Sequence, residues 1–318
     1  MLVRLSWSIV AALWVVSAFH LVKREPWNTM VGLIAITPWI YMLAWATTSV
    51  GLWARRHVMV ILSLVLVGLQ VWWVAPDFGP SSHLVRPRPG QPVLRILDAN
   101  VSQDNFDLAP LAAEVRRYQP DVVAMEEVTK PAYTSLMATG VMKPYSRHSL
   151  LFLPDSGSLG MALWSRYRLS DMKQWYAYGH PELRAWVHLP GGRRVRLDVV
   201  HTLAPYGSGE PGPWARQMVA IKQELSREPR PLVVVGDLNA TWYDWHFQAI
   251  LHLGLRDAAV EAGQGWRMTF PANQWPVPPY ARIDHVLHSA GVGLVSYAVV
   301  DVPGSAHRGL LVSVATDG

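Results

Sequence analysis

The chain has 318 residues, no cysteine and a formal net charge of +5, and it is long enough to bury a sizeable core. Hydrophobic residues make up 51% and charged residues only 16%, which is apolar for a soluble protein and directs attention to membrane segments. Residues 1–90 hold seven Lys or Arg against two Asp or Glu, whereas the remainder holds 21 of each, so the larger part lacks the positive charge typical of nucleic-acid binding.

Three apolar segments near the N-terminus predict transmembrane helices: Leu5 to Val22, Met30 to Leu52 and Val58 to Val74. A helix of about 20 residues crosses a hydrocarbon core of roughly 30 Å. Eight of the 16 Trp precede Gly90, several of them near the ends of these segments, as is typical of interfacial anchors. A cleaved signal peptide and buried core helices are the alternatives, but the sequence has no obvious small-residue cleavage site and the loops are short.

The charges that flank the three segments are nearly balanced between the two sides of the membrane. We expect a multi-pass protein of the cell membrane, with its N-terminus inside and the chain after Val74 outside the cytoplasm. The absence of cysteine agrees with an oxidising exterior. The lipid bilayer is the partner that these segments predict, and no protein partner is inferred.

A stretch rich in Pro, Gly and Ser predicts a linker over residues 76–92. It separates a membrane region, 1–75, from a domain over 93–318. In that domain short apolar runs such as "VLRILDANV", "DVVAMEEV" and "PLVVVGDLN" indicate strands, and Leu108 to Tyr118, Gly212 to Arg227 and Tyr243 to Leu253 have helical periodicity. The turn Pro190-Gly191-Gly192 predicts an antiparallel hairpin, which argues against a purely parallel sheet. This pattern favours an α/β sandwich of two sheets with helices outside.

Polar groups suited to a metal or a phosphate stand at the ends of many of these strands. They are Asn100, Glu127, His201, Asp237, Asn239, Asp284 and His307. Each one alone is more often a turn, a helix cap or a structural histidine. As an ordered set they predict one site, because strand ends on one side of a sheet converge in space. Asp237 and Asn239, two apart on an extended strand end, are expected to point to the same side.

The words "GDLNA", "RIDHVL" and "SAHRG", in this order, are similar to those of the endonuclease/exonuclease/phosphatase superfamily. The resemblance covers roughly Val93 to Ala315 and implies the DNase I-like four-layer α/β/β/α sandwich, here preceded by three transmembrane helices. It also implies a metal-dependent phosphohydrolase. With the membrane segments in front, the chain resembles the VanJ-type membrane group, which is associated with teicoplanin resistance.

The resemblance implies a metal site at Glu127 and Asn100, holding Mg²⁺ with Mn²⁺ as the alternative ion, since both residues offer hard oxygen donors. It implies that Asp237 orients or deprotonates the attacking water. Asn239 would then hydrogen-bond the phosphoryl oxygens as charge develops.

The same resemblance pairs His307 with Asp284, which would fix the tautomer of the histidine, and places His201 against the phosphate or the leaving group. Arg216, on the helix after "HTLAPYGSGEPGPW", is predicted to bind the substrate anion, with Gln217 covering the anion or bracing the site. Trp242, Tyr243, Trp245 and His246 directly follow Asn239 and are expected to rim the pocket, with core packing as the alternative.

Three departures from the family's pattern weaken the expected metal site. Ala306 stands where the family usually has Asp, Ser102 where related nucleases often have a second acid, and Glu126 where a Gln is common. The remaining hypotheses are a phosphohydrolase acting on a membrane-associated or lipid-linked phosphate, an extracytoplasmic nuclease, and a degenerate phosphate-binding protein. The neutral domain argues against the nuclease.

Overall fold

The computed structural model describes residues 1–79, 83–206 and 212–316. Residues 80–82 of the predicted linker and the last two residues of the predicted domain lie outside these ranges. The helices are α1 Leu2–Leu21, α2 Asn28–Ala35, α3 Thr37–Ile40, α4 Met42–Trp53, α5 His57–Val74, α6 Leu111–Tyr118, α7 Lys130–Ala138, α8 Gly212–Arg227, α9 Trp245–Leu251 and α10 Ala258–Glu261, with 3-10 turns at Ala75–Phe78, Lys143–Tyr145 and Pro190–Gly192. The strands are β1 Val93–Asn100, β2 Val122–Glu126, β3 Ser149–Phe152, β4 Met161–Ser165, β5 Leu169–Ala177, β6 His180–His188, β7 Arg194–Val199, β8 Leu232–Asp237, β9 Arg256–Asp257, β10 Asp284–His288, β11 Val292–Val300 and β12 Gly309–Thr316.

The strands form two mixed six-stranded sheets, with orders β11-β12-β1-β2-β4-β3 and β5-β6-β7-β8-β10-β9. Within each sheet only one neighbouring pair is parallel, β1 with β2 and β7 with β8. The predicted hairpin is confirmed as the antiparallel pair β6 and β7. Helices cover the outer faces, so the α/β sandwich expected from the sequence is confirmed.

The alternation of side chains along β8 shows how the layers are held together. Val233 and Val235 point into the core between the sheets, and Leu232 and Val234 point outward to the core under α8 and α9. Both faces are covered, which explains why this strand reads as a continuous apolar run. Each such side chain contributes about 1.5–3 kcal/mol on burial.

Gly236 ends this run because no larger residue fits there. Its φ is +133°, and a Cβ would lie 2.0 Å from the carbonyl oxygen of Val200. The close approach brings the ends of β7 and β8 together immediately before Asp237. The sequence thus places two chain segments with polar residues side by side at one edge of the sheet.

Two helices, Leu2–Leu21 and His57–Phe78, are long and apolar enough to cross a membrane. The straight helix expected over Met30 to Leu52 is not formed, because α2 ends at Ala35 and the chain bends by 70° before Thr37–Trp53. Pro38 in the first turn of α3 explains the break, since proline has no N–H to continue the helix. By length and composition this bent pair could be one span or a re-entrant loop.

The short helix α2 packs on the sandwich as well as on its neighbouring helices. Val31 is 1% exposed and belongs to the same buried cluster as Trp214 of α8. The N-terminal region is therefore in direct contact with the sandwich.

Candidate active site

A cleft of about 500 Å³ opens at the edge where the strand ends of both sheets meet. Of the predicted strand-end residues, Glu127, His201, Asp237, Asn239 and His307 line it. The remaining two lie directly behind and contact the lining residues: Asn100 binds Glu127 and Asp237, and Asp284 binds His307. The structure therefore gathers all seven residues in one place, although they come from six separate chain segments.

The backbone turns sharply where it delivers these side chains. Glu127 follows the end of β2 with a φ of +60°, and Ser102 and Asn239 have φ values of +64° and +45°. Non-glycine residues in this left-handed region are uncommon and cost free energy. Local hydrogen bonds hold them: Gln103 N–H donates to Glu127 Oε2 at 2.7 Å, and Asn239 N–H donates to Asp237 Oδ1 at 2.8 Å.

Asp237 and Asn239 meet, but not as two residues of an extended strand. β8 ends at Asp237, and the left-handed turn at Asn239 brings its Nδ2 to 3.3 Å from Asp237 Oδ2. The same nitrogen donates to the carbonyl oxygen of Thr202 at 2.8 Å. Proximity of the pair is confirmed, while the alternation argument used to predict it is wrong.

Asn100 lies between two carboxylates and presents its nitrogen to both. Its Nδ2 is 3.1 Å from Glu127 Oε1 and 3.1 Å from Asp237 Oδ2, while Oδ1 accepts the N–H of Ser102. One amide group thus bridges both sheets. For the Asn100 oxygen to bind a cation, the side-chain amide must rotate by half a turn, so that its oxygen and nitrogen exchange places. Such a rotation is decided by the hydrogen bonds that the amide can make in each orientation.

Two histidines of the cleft, His201 and His307, differ in charge. His307 Nδ1 is 3.1 Å from both oxygens of Asp284. Burial lowers the pKa of His307, but the carboxylates of Asp284 and Asp237 outweigh burial and bring the pKa to about 9. Burial lowers the pKa of His201 to about 4 despite the Glu127 carboxylate at 3.6 Å from its Nε2. At neutral pH His307 is therefore charged and His201 is neutral.

The donor set of the cleft fits a divalent cation. Burial, followed by the nearby Asp284 carboxylate, raises the pKa of Asp237 to about 8, so negative charge is crowded here. One carboxylate oxygen each of Asp237 and Asp284 lies within 4.8 Å of the other and of a ring nitrogen of His307, and Glu127 faces them across Asn100. Mg²⁺ and Mn²⁺ prefer oxygen ligands, and carboxylates also supply the negative charge that balances the ion.

A hydroxyl pair lies at the two places where the family's acids are missing: Ser102 stands at one of them, and Ser305 directly precedes the other, Ala306. Ser305 Oγ donates to the carbonyl oxygen of Asn100 at 2.7 Å and lies 3.0 Å from Ser102 Oγ, which accepts the N–H of Ala306 at 2.9 Å. These contacts join the loop after β1 to the loop before β12. Ser102 and Ala306, two of the positions that differ from the family's pattern, therefore take part in an ordered set of hydrogen bonds.

Glu182 is a residue of the site that the sequence pattern did not indicate, and Gln217 takes the bracing position that was one of its two expected roles. The buried Glu182 Oε2 accepts the N–H of His201 at 2.8 Å. Gln217 donates to the carbonyl oxygen of His201 at 2.9 Å and accepts the N–H of Leu203 at 2.8 Å. Both brace the segment that carries His201. A polar residue inside the otherwise buried strand β6 was the available signal for Glu182.

Glu126 and Asp98 form a second unexpected pair beneath the cleft. Both are fully buried, and burial raises the pKa of each well above its usual value. The Asp98 carboxylate adds to burial and further raises the pKa of Glu126. Burial thus favours the protonated form of both groups, and Glu126 is a core residue beneath Glu127.

Two groups of predicted residues lie elsewhere. Arg216 is exposed and its guanidinium stacks over the Tyr178 ring at 4.8 Å, outside the cleft lining. Trp242, Tyr243 and Trp245 do not form the expected aromatic rim. They line a separate groove of about 360 Å³ that is shared with the ends of α1 and α5. Tyr243 is buried there and Trp242 and Trp245 are half-buried beside the N-terminal helices, which corresponds to the packing alternative.

The Endonuclease/Exonuclease/phosphatase family matches residues 97–307 of this sequence, and the chain belongs to this family. No curated protein matches the sequence significantly. The family and the site together define a hydrolase of the phosphoesterase type, and enzymes of this family generally use divalent metals.

Solved structures share the fold over the sandwich. A 3'-5' exonuclease from Neisseria meningitidis is 18% identical, with 71% of this chain and 100% of that one covered and a TM-score of 0.54. A mannosyl-6-phosphatase from Bacteroides thetaiotaomicron is 14% identical, with 70% and 99% covered and a TM-score of 0.53. TDP2 from D. rerio, solved with a single-strand DNA product, is 19% identical, with 70% and 99% covered and a TM-score of 0.56. At these identities the similarity shows the fold alone.

Proposed function

We propose that this protein is a membrane-anchored, divalent-metal-dependent hydrolase of a phosphoric ester or pyrophosphate. Its substrate is a membrane-associated or lipid-linked phosphate outside the cytoplasm, and the protein belongs with the VanJ-type membrane group. The observation that carries the proposal is the gathering of Glu127, Asp237, Asp284 and two histidines in one cleft, in a chain whose apolar helices pack on the same domain.

Glu127 would hold the cation, with Asn100 as a further ligand once its amide oxygen is turned inward. Both Mg²⁺ and Mn²⁺ suit these donors. The bound ion would polarise the phosphoryl group and stabilise the leaving oxygen. Gln103 N–H orients the Glu127 carboxylate from behind, leaving Oε1 directed at the cleft.

Asp237, ionised once a bound cation offsets the neighbouring negative charge, would accept the proton of the attacking water. Its two oxygens are oriented by the N–H of Asn239 and by Asn100, so the carboxylate is held in a fixed position. Asn239 Nδ2 lies beside it and can donate to a phosphoryl oxygen in place of the Thr202 carbonyl oxygen.

His307, charged and paired with Asp284 through Nδ1, has its Nε2–H available to a phosphoryl oxygen. The neutral His201 would donate to the phosphate or to the leaving group from the facing strand. Arg216 would contact only a substrate that has a larger group extending beyond the Tyr178 ring.

Three features support a membrane-bound substrate. The domain beyond residue 90 has equal numbers of acidic and basic residues, the membrane region 1–75 precedes it through the linker 76–92, and the domain 93–318 contacts that region directly. A polyanionic nucleic acid would find little attraction on a neutral domain.

The test is phosphate release by the purified full chain in lipid nanodiscs, with lipid pyrophosphates, phospholipids, inositol phosphates and DNA. We expect Mg²⁺-dependent release from a lipid substrate that is lost in Glu127→Ala and His307→Ala. Arg227→Ala, an exposed change at the end of α8, is the matched control and should retain activity.

DNA degradation with a steep salt dependence would identify a nuclease instead. Phosphate binding without turnover, even at high Mg²⁺ or Mn²⁺, would identify a non-catalytic binding protein.

A further inference from the structure

Large apolar side chains are exposed around the mouth of the cleft. Each belongs to a loop that also contributes a residue to the cleft lining, such as Asn105, Ser158 or Asn273. We call this set the apolar rim, and its members with their exposed fractions are Phe106 53%, Leu159 36%, Tyr206 77%, Trp275 95% and Val277 47%.

Single exposed apolar residues are ordinary on a protein surface. A group of them around one opening indicates a surface that meets another apolar phase. Trp275 carries the most weight, because its ring is almost wholly in water and lies between Pro271 and Pro279, which restrict the backbone of this loop.

Two hydrogen bonds join the loops of the rim to the N-terminal region. Asn28 Nδ2 of α2 donates to the carbonyl oxygen of Tyr206 at 2.6 Å, and Trp39 Nε1 of α3 donates to the carbonyl oxygen of Tyr280 at 2.8 Å. Asn28 and Trp39 stand on the two sides of the 70° bend, which lies between the two helices that could cross a membrane. The rim is therefore held next to the segments that would enter the bilayer.

We propose that the apolar rim inserts into the headgroup layer of the bilayer and admits the phosphate of a membrane lipid to the cleft while the lipid tail stays in the membrane. This inference rests on the proposed function and names the route by which its substrate arrives. Trp and Tyr are the residues that favour this layer, since each has an apolar body and a polar tip. Because the domain is neutral, insertion depends on apolar burial and is expected to persist at high salt.

Insertion is measured without any reference to activity. The chain has no cysteine, so Trp275→Cys provides a unique site for an environment-sensitive fluorophore in the full chain in nanodiscs. We expect a blue-shifted emission that is quenched by lipids carrying a quencher near the headgroup. Arg227→Cys is the matched control, because the Arg227 side chain is 71% exposed. Arg227 lies before the start of β8, whereas Asp237 of the cleft lies at the other end of that strand. A label at position 227 should therefore not be quenched. Equal quenching at the two positions, or none at position 275, would overturn the proposal.

The route is tested with Trp275→Glu, a change at an exposed position that leaves the core intact. Hydrolysis of a lipid phosphate in vesicles should fall at least about tenfold, whereas hydrolysis of a water-soluble short-chain ester of the same phosphate should stay within about twofold. An equal loss of hydrolysis with both substrates, or no loss with either, would refute the proposal that the rim admits the lipid phosphate to the cleft. If the unmodified chain hydrolyses neither substrate, the proposed function fails, and the labelling experiment still decides whether the rim inserts.

Discussion

The two faces of strand β10 carry ionisable clusters of opposite character. Asp284 points to the cleft cluster, which comprises Glu127, Asp237, Asp284 and His307. The next residue, His285, points to the other face and belongs to an anchor cluster with Asp257, Arg282 and Asp77. Successive residues of a strand point to opposite faces, so one short segment serves both clusters.

In the anchor cluster Asp257 is paired with an opposite charge. Asp257 Oδ2 accepts from Arg282 Nη1 at 2.7 Å and lies 3.0 Å from His285 Nδ1. Burial raises the pKa of Asp257, but the attraction of Arg282 and His285 outweighs burial and holds the pKa below its usual range. In the cleft cluster the neighbour of Asp237 is another carboxylate, which adds to burial and raises the pKa. Asp257, next to a cation, therefore forms a structural ion pair, whereas Asp237, next to another carboxylate, belongs to a site that fits a cation.

The largest effect is expected when the cleft cluster loses its base. Asp237→Asn should lower the turnover of the lipid substrate by about 10² to 10⁴-fold, the usual contribution of a general base. Thermal stability should not fall, because the lost charge is one that its neighbours disfavour. Phosphate release and the melting temperature, measured on the same preparation, check this. Retained turnover together with a lower melting temperature would reverse the assignment of the two clusters.

Breaking the anchor cluster should have the opposite outcome. Arg282→Met leaves the buried Asp257 without its cation and is expected to cost about 3–5 kcal/mol of unfolding free energy. Denaturant unfolding measures this loss. Lys130→Met is the control, because the Lys130–Asp155 pair is exposed, and it should change stability by less than about 1 kcal/mol. Similar losses in the two variants would show that the anchor cluster is not a buried pair.

A divalent ion should stabilise the protein through the cleft cluster alone. At a Mg²⁺ concentration of 100 times its dissociation constant, the gain is about 2.7 kcal/mol for a single site. Thermal unfolding should therefore shift upward with Mg²⁺ and return with a chelator in the unmodified chain and in Lys130→Met, but not in Glu127→Ala. A shift that persists in Glu127→Ala would place the ion elsewhere.

The smallest effect is a dependence of stability on pH that comes from the anchor cluster. Because the pKa of Asp257 is lower in the folded than in the unfolded protein, its contribution is present above the unfolded value of about 3.9 and is lost as the pH falls below it. The stability difference between the unmodified chain and Asp257→Asn should be constant from pH 7 to 5 and should shrink below about pH 4. Unfolding midpoints over this range measure it, and a difference that grows on acidification would contradict the matched-charge view.

Residues of the buried strands were predictable because their patterns are local. The apolar runs that became β1, β2 and β8 needed only the rule that strands covered on both faces are continuously apolar. Strands β5 and β11 escaped prediction because each has exposed polar and buried apolar residues in an irregular order, with a shift of register in its pairing.

The fate of the aromatic segment Trp242 to Trp245 shows where local reasoning ends. It follows the site residue Asn239 directly, yet it packs against the ends of α1 and α5, while Tyr206 and Phe270 from distant segments line the cleft. Proximity to Asn239 in the sequence therefore does not place these aromatic residues in the cleft. Tyr243 and Trp242 pack instead on apolar side chains of the N-terminal helices.

The sequence by itself determined the sandwich and the set of polar residues at its strand ends, because apolar periodicity and residue chemistry are properties of short segments. Only the tertiary structure decided that the Asn100 amide stands between two carboxylates, that Glu182 and Gln217 brace His201, and that the second apolar segment bends at Ile36. These features depend on contacts between residues far apart in the chain, whose energies are set by the neighbours that folding brings together.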